Sequence, residues 1–227
     1  MKTYNDCIPC LVRQALGAAR FISNDEGVHQ KVLKKTLAAL AVMDMNQAPP
    51  MMARHIQNTI TEVTGNKDPY KKIKKKFNKF SLGILEDLRA MVESSKDPLK
   101  TAVRLSIAGN IIDFGALSTL DKEIIFATID HAMANEVKGN MEGLIKEITA
   151  AGRILWIADN AGEIVFDRLV LEKIDRDKVT FVVRGGAALN DATLEDARDA
   201  GISDKAKCPV VAGSAGVNLN DMVIRNY

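Results

Sequence analysis

The sequence predicts an α/β protein: a helical region over residues 1–150, followed by a parallel-sheet domain of three layers over residues 151–227. Two observations carry that expectation. Up to about residue 150, apolar side chains recur at intervals of three and four with few β-rich alternations, the spacing of helices that bury one face. From Arg153 onward, short apolar runs alternate with helical segments in the order strand, loop, helix, strand, loop, helix, strand. That alternation is how parallel sheets are connected.

The elements follow in order. Leu11, Ala15, Ala18, Ala19 and Ile22 make one helical stripe, and Val32, Leu33, Leu37, Leu40 and Ala41 a second. Pro49 and Pro50 then interrupt the pattern. Proline cannot donate the helical hydrogen bond and restricts the residue before it, so a new helix is expected to begin there. Gly-Asn-Lys-Asp-Pro at 65–69 reads as a turn. In the lysine-rich stretch that follows, Tyr70, Ile73, Phe77, Phe80 and Ile84 share one face and the lysines fall largely elsewhere. This reads as an amphipathic helix with a solvated cationic surface rather than a nucleic-acid site. Strands are expected at 154–158, 179–183 and 209–212, with helices at 163–174 and 192–200, the second closed by Gly201.

Composition excludes several classes. With 31 basic against 29 acidic residues, the formal charge of +2 gives no overall pull toward nucleic acid or an anionic membrane. The first residues are not a secretory signal, and the apolar run from Leu37 to Met43 is far too short to span a bilayer, so a soluble, cytoplasmic protein is expected. Three cysteines are too few for a secreted disulfide framework. Cys7 and Cys10 form a Cys-Ile-Pro-Cys unit that is a dithiol, half of a soft-metal site, or two small side chains near a helix start. No second such pair completes a zinc site.

Chemistry concentrates in two loops. The first expected strand delivers Asp159, Asn160, Gly162 and Glu163; the second delivers Arg184, two glycines, Asn190, Asp191 and Thr193. Parallel strands release both loops at one edge of the sheet, where open α/β sheets bind ligands. Asp159, Asn160 and Asp191 can thus converge as oxygen donors suited to Mg²⁺ or Mn²⁺, with a phosphoryl oxygen or water in the remaining positions. Gly162 permits close backbone approach and the helix N-terminal amides complement an anion. The competing reading is that these polar residues only cap the helices that follow.

Four ordered segments resemble the DUF89 family of metal-dependent damage-control phosphatases, in its Cys-x-x-Cys branch: Cys7 to Cys10, Ala108 to Gly115, Asp159 to Glu163, and Arg184 to Thr193. The resemblance implies a helical region packed on a Rossmann-like domain, with a divalent metal (Mn²⁺, Mg²⁺, Co²⁺ or Ni²⁺) held by Asp159, Asn160 and Asp191. It also implies that Asn110 and Asp113 approach the pocket from the helical side. Glu163 reads as a group supporting the ligands or as an acid favoured by the helix dipole; Arg184 as a phosphate contact or a surface arginine; Asn190 and Thr193 as substrate contacts. Asp159 is the expected catalytic residue, either as nucleophile or by orienting water. Cys7 and Cys10 are assigned a redox or structural role. The family usually continues into a further α/β section with a glycine-rich phosphate motif, which Asn218, Asn220 and Asp221 do not reproduce, so the sheet domain is expected to be short at its C-terminus.

The function this implies is hydrolysis of small phosphorylated metabolites, a sugar phosphate or nucleotide-related compound. The alternatives are a metal- or phosphometabolite-binding protein without turnover and an S-adenosylmethionine-dependent methyltransferase. No nucleic-acid or membrane partner is expected. A homo-oligomer covering the sheet edge is a further expectation.

Overall fold

The computed structural model describes residues 2–112, 121–205 and the strand at 207–212. Among these residues seven helices come first: α1 (Cys7–Ile22), α2 (Glu26–Ala41), α3 (Pro49–Thr64), α4 (Lys71–Glu93), α5 (Pro98–Ile111), α6 (Lys122–Ala134) and α7 (Met141–Ala150). Then β1 (Ile154–Ile157), α8 (Glu163–Leu171), β2 (Val179–Arg184), α9 (Leu194–Asp199) and β3 (Lys207–Ala212) alternate. The three strands form one parallel sheet in sequence order.

Local chemistry sets the helix ends. Pro49 and Pro50 occupy the first turn of α3, where a missing N–H costs nothing because those donors have no partner within the helix. Gly65 ends α3 in the left-handed conformation, at φ 71°. Gly201, at φ 70°, likewise follows α9. Asp97 caps α5 by accepting from the Lys100 amide, and Thr193 caps α9 in a reciprocal box with Asp196.

Two apolar clusters result. The first joins α1, α2 and α3 through Leu11, Ala15, Ala18, Ala19, Val32, Met52, Ile56 and Ile60. Its α1 stripe falls as expected, but Leu37 is 52% exposed and Thr36 takes the buried place on α2. The second cluster joins α4, α5 and α6 to α8 and the sheet. At its centre α8 buries eight of its nine residues, and Phe166 and Phe181 are wholly enclosed. Each such side chain contributes about 1.5–3 kcal/mol by leaving water. The packing therefore crosses the change of grammar at residue 150, because α4 and α5 supply the layer that covers α8.

Among the described residues, the helices cover one face of the sheet; on the other, Val182 of β2 is buried while β1 is open. Trp156, Phe181 and Val183 pack toward the helices, whereas Leu155 and Ile157 on β1 are 52% and 54% exposed. A mostly helical α/β fold with a small parallel sheet is what these residues establish; the third expected layer is not among them.

The cationic helix corrects one expectation. Phe77 and Ile84 are buried on α4 as foreseen, but so are Lys74, Asn78 and Ser81, each at most 2% exposed. The buried face is rotated to include a lysine, because that lysine has carboxylate partners waiting on another element.

Candidate functional site

The loops after β1 and β2 are paired through their backbones. The Ala161 amide donates to the Asn190 carbonyl at 2.9 Å, and the Ala192 amide donates to the Asp159 carbonyl at 2.7 Å. Asn160 and Asp191 face each other as an antiparallel bridge. Asp159, Asn160 and Asp191 are thereby brought to one place at the carboxyl edge of the sheet. Leu189 turns the second loop with a left-handed backbone at φ 49°, uncommon for a branched residue.

From the helical side, the last turn of α5 brings in Asn110. Its Nδ2 donates to Asp159 Oδ2 at 3.3 Å and to Glu163 Oε2 at 2.8 Å. Asn160 also donates to Glu163 Oε2, from its side chain at 3.1 Å and its backbone at 3.3 Å. Glu163 is thus a hub that orients both amides, and burial holds its carboxyl above the usual range, with the charge of Asp159 adding to the effect. Asn110 reaches this point because Gly109 lets α5 lie against α8: a Cβ there would stand 2.8 Å from Phe166 Cγ.

Arg184 and Asp191 form an ion pair, Nε to Oδ2, at 2.5 Å. Burial still raises the Asp191 carboxyl above its ordinary value, with Arg184 pulling the other way. The expected phosphate contact through Arg184 therefore finds Nε already engaged by a carboxylate. Two further groups are engaged in the same way. The Gly162 amide donates to Asn78 Oδ1 at 2.7 Å, inside the protein, and the Thr193 hydroxyl donates to Asp196 Oδ2 at 2.6 Å. Both groups are committed to internal partners because each begins a helix beside a buried side chain that takes its donor, Asn78 or Asp196. Asn190 contributes its carbonyl to the loop pairing. Asp113 lies outside the described residues.

Beside this cluster an open cleft of about 360 Å³ is lined by Ser106, Ile107, Asn110, Ile111, Trp156, Ile157, Glu163 and Asp167. Asp167 is one turn along α8 from Glu163. Its Oδ1 accepts from the Ser106 hydroxyl at 2.6 Å and its Oδ2 from the Trp156 indole at 3.1 Å. Burial pushes its pKa up to about 7. Sequence reasoning passed over Asp167, Lys74, Asn78 and Asp196. The signals were present: Glu163 and Asp167 share a helix face at i and i+4, as do Lys74 and Asn78, and Thr193 with Asp196 has capping-box spacing.

Cys7 begins α1 half-buried and Cys10 is exposed on its first turns; both are free thiols. Among the described residues, no three His, Cys, Asp or Glu side chains converge as a metal cage. The loop cluster instead offers two carboxylates and an amide. No helix among them is long and apolar enough to cross a membrane.

These features match a known set of proteins. A curated but uncharacterised protein of Methanocaldococcus jannaschii is 37% identical over 216 residues, covering 91% of this chain and 70% of its own. A damage-control phosphatase of Archaeoglobus fulgidus is 32% identical over 225 residues, covering 96% of this chain and 77% of its own. The crystal structure of a DUF89 family protein from Pyrococcus horikoshii superposes with a TM-score of 0.85 at 25% identity, covering 98% of this chain and 78% of that one. The sequence profile of the damage-control phosphatase ARMT1-like domain matches residues 3–222. By that match and by the A. fulgidus relative, the chain belongs to the DUF89, or damage-control phosphatase ARMT1-like, family.

Proposed function

We propose that this chain is a metal-dependent phosphatase acting on small phosphorylated metabolites. The observation that carries the reading is the backbone pairing of the two loops, which sets Asp159 and Asn160 against Asp191 at the carboxyl edge of a parallel sheet. The phosphatase name of the A. fulgidus relative supports it.

The donor set fits a hard divalent cation. Asp159 and Asp191 supply carboxylate oxygens and Asn160 an amide oxygen, the chemistry preferred by Mg²⁺ and Mn²⁺. Burial raises the carboxyl pKa values of Glu163 and Asp191, and the neighbouring charge of Asp159 adds a smaller push in the same direction that a cation would offset. When bound, such an ion polarises the phosphoryl group and neutralises charge developing on its oxygens. The protein's own contribution is orientation. Glu163 fixes the Asn160 side chain and Asn110 steadies the Asp159 carboxylate; Asp159 either attacks phosphorus, breaking the ester P–O bond and leaving an acyl phosphate that water then hydrolyses, or orients a water that displaces the ester oxygen directly. The neighbouring cleft accommodates the leaving group. The parallel sheet belongs, in this reading, to a Rossmann-like three-layer domain.

The test is phosphate release from a panel of phosphometabolites by metal-stripped protein, with Mg²⁺, Mn²⁺, Co²⁺ or Ni²⁺ restored separately. Metal-stimulated release is expected to vanish in Asp159→Ala and in Asp191→Ala. Normal turnover in both variants would refute the assignment. Cation binding without release by the wild-type protein would make it a binding protein instead.

A further inference from the structure

One buried side chain touches both halves of the site from behind. Asn78, on α4, is 2% exposed and faces the point where the helices that follow the two loops begin. Its Oδ1 accepts the Gly162 amide at 2.7 Å, two residues after Asn160. Its Nδ2 donates to Asp196 Oδ1 at 3.2 Å. Asp196 in turn holds the second loop: its Oδ2 accepts the Thr193 amide at 2.9 Å and the Thr193 hydroxyl at 2.6 Å, two residues after Asp191. Lys74, one turn before Asn78, completes the cluster with contacts of 3.1 Å to Asp196 and 3.0 Å to Asp68.

We propose that Asn78 is a positioning residue that clamps the Asp159 loop to the Asp191 loop, holding the three oxygen donors in register for one cation. An amide suits the task because it accepts from one loop and donates to the other at once, which neither a carboxylate nor a hydrocarbon can do. Lys74 pairs with Asp196, whose two oxygens accept from Thr193 and Asn78 together. The enclosed network leaves little freedom for either loop to shift alone, since each displaced group would strand a buried polar partner. The proposal rests on the phosphatase reading above, and it assigns the lysine-rich helix a part in the site.

The test compares Asn78→Leu, which removes both arms, with Asn78→Asp, which keeps the acceptor for Gly162 and loses the donor to Asp196. Val92→Ala serves as control: Val92 is buried on the same helix, about 21 Å along its axis from Asn78. Each protein is checked for folding by circular dichroism, then titrated with Mn²⁺ by calorimetry and followed by amide hydrogen exchange and by kcat and KM. Asn78→Leu is expected to weaken Mn²⁺ binding about 10- to 100-fold, as loss of a residue supporting metal ligands does. It should lower kcat more than it raises KM, and Gly162 and Thr193 should lose exchange protection together. In Asn78→Asp the loss should fall on Thr193, with Gly162 still protected. Wild-type Mn²⁺ affinity in a folded Asn78→Leu protein, or an equal loss in Val92→Ala, would overturn the clamp alone. A wild-type protein that neither binds Mn²⁺ nor releases phosphate would overturn the phosphatase reading itself, and Asn78's part in it.

Discussion

Replacing Asp167 with asparagine should change how stability depends on pH. Asp167 is 3% exposed, with both carboxyl oxygens hydrogen-bonded to neutral donors and Glu163 and Asp159 nearby. Burial moves its pKa from 3.8 to about 7. A carboxyl whose folded pKa exceeds its unfolded value favours folding most below the unfolded pKa. That gain is lost progressively as pH rises, and is gone above about 7. Between pH 8 and pH 5 the wild type should gain about 2.5 kcal/mol of stability from this group, at roughly 1.4 kcal/mol per pH unit below 7. Asparagine reproduces the neutral acid, since its oxygen accepts from Trp156 and its amide donates to Ser106. Asp167→Asn should therefore lack this component and be the more stable protein at pH 8. Urea unfolding at several pH values measures the difference, with the single tryptophan as a local reporter because its indole contacts the carboxyl. A wild-type minus variant difference that stays flat between pH 5 and 8 would refute the protonated buried acid.

Three further perturbations read other parts of the structure. Gly109→Ala forces a methyl to 2.8 Å from Phe166 Cγ; it should cost about 1–3 kcal/mol by thermal melting, as overpacking does, and should lower phosphate release by drawing Asn110 away from Asp159. Lys74→Met strands Asp196 and Asp68 without their cation, with an expected loss of about 3–5 kcal/mol in urea unfolding; a change below about 1 kcal/mol would mean that the buried pair is solvated. Arg184→Gln removes the cation that competes for Asp191 Oδ2 and should tighten Mn²⁺ binding in calorimetry by roughly tenfold, about 1.4 kcal/mol; weakened binding would show that Arg184 supports the donor set instead.

What the sequence determined by itself was whatever is encoded by neighbours in the chain. Periodicity placed α1 and the strands, Pro49 and Gly65 marked the ends of α3, and the repeated strand, polar loop and helix located Asp159, Asn160 and Asp191 at one sheet edge. Ordered motifs gave the family. Only the tertiary structure decided which polar groups face inward, because that depends on partners more than 80 residues away. Lys74 reads as a solvated lysine until Asp196 packs against it, and Gly162 as a point of close backbone approach for substrate, with nothing in the sequence to show that Asn78 takes its amide. Leu37 reads as core by its spacing, yet α2 buries Thr36 and Leu40 and leaves Leu37 exposed. A buried ion pair or amide bridge stabilises only when both members arrive together, and their meeting is set by how α4, α5 and α8 pack rather than by any local preference.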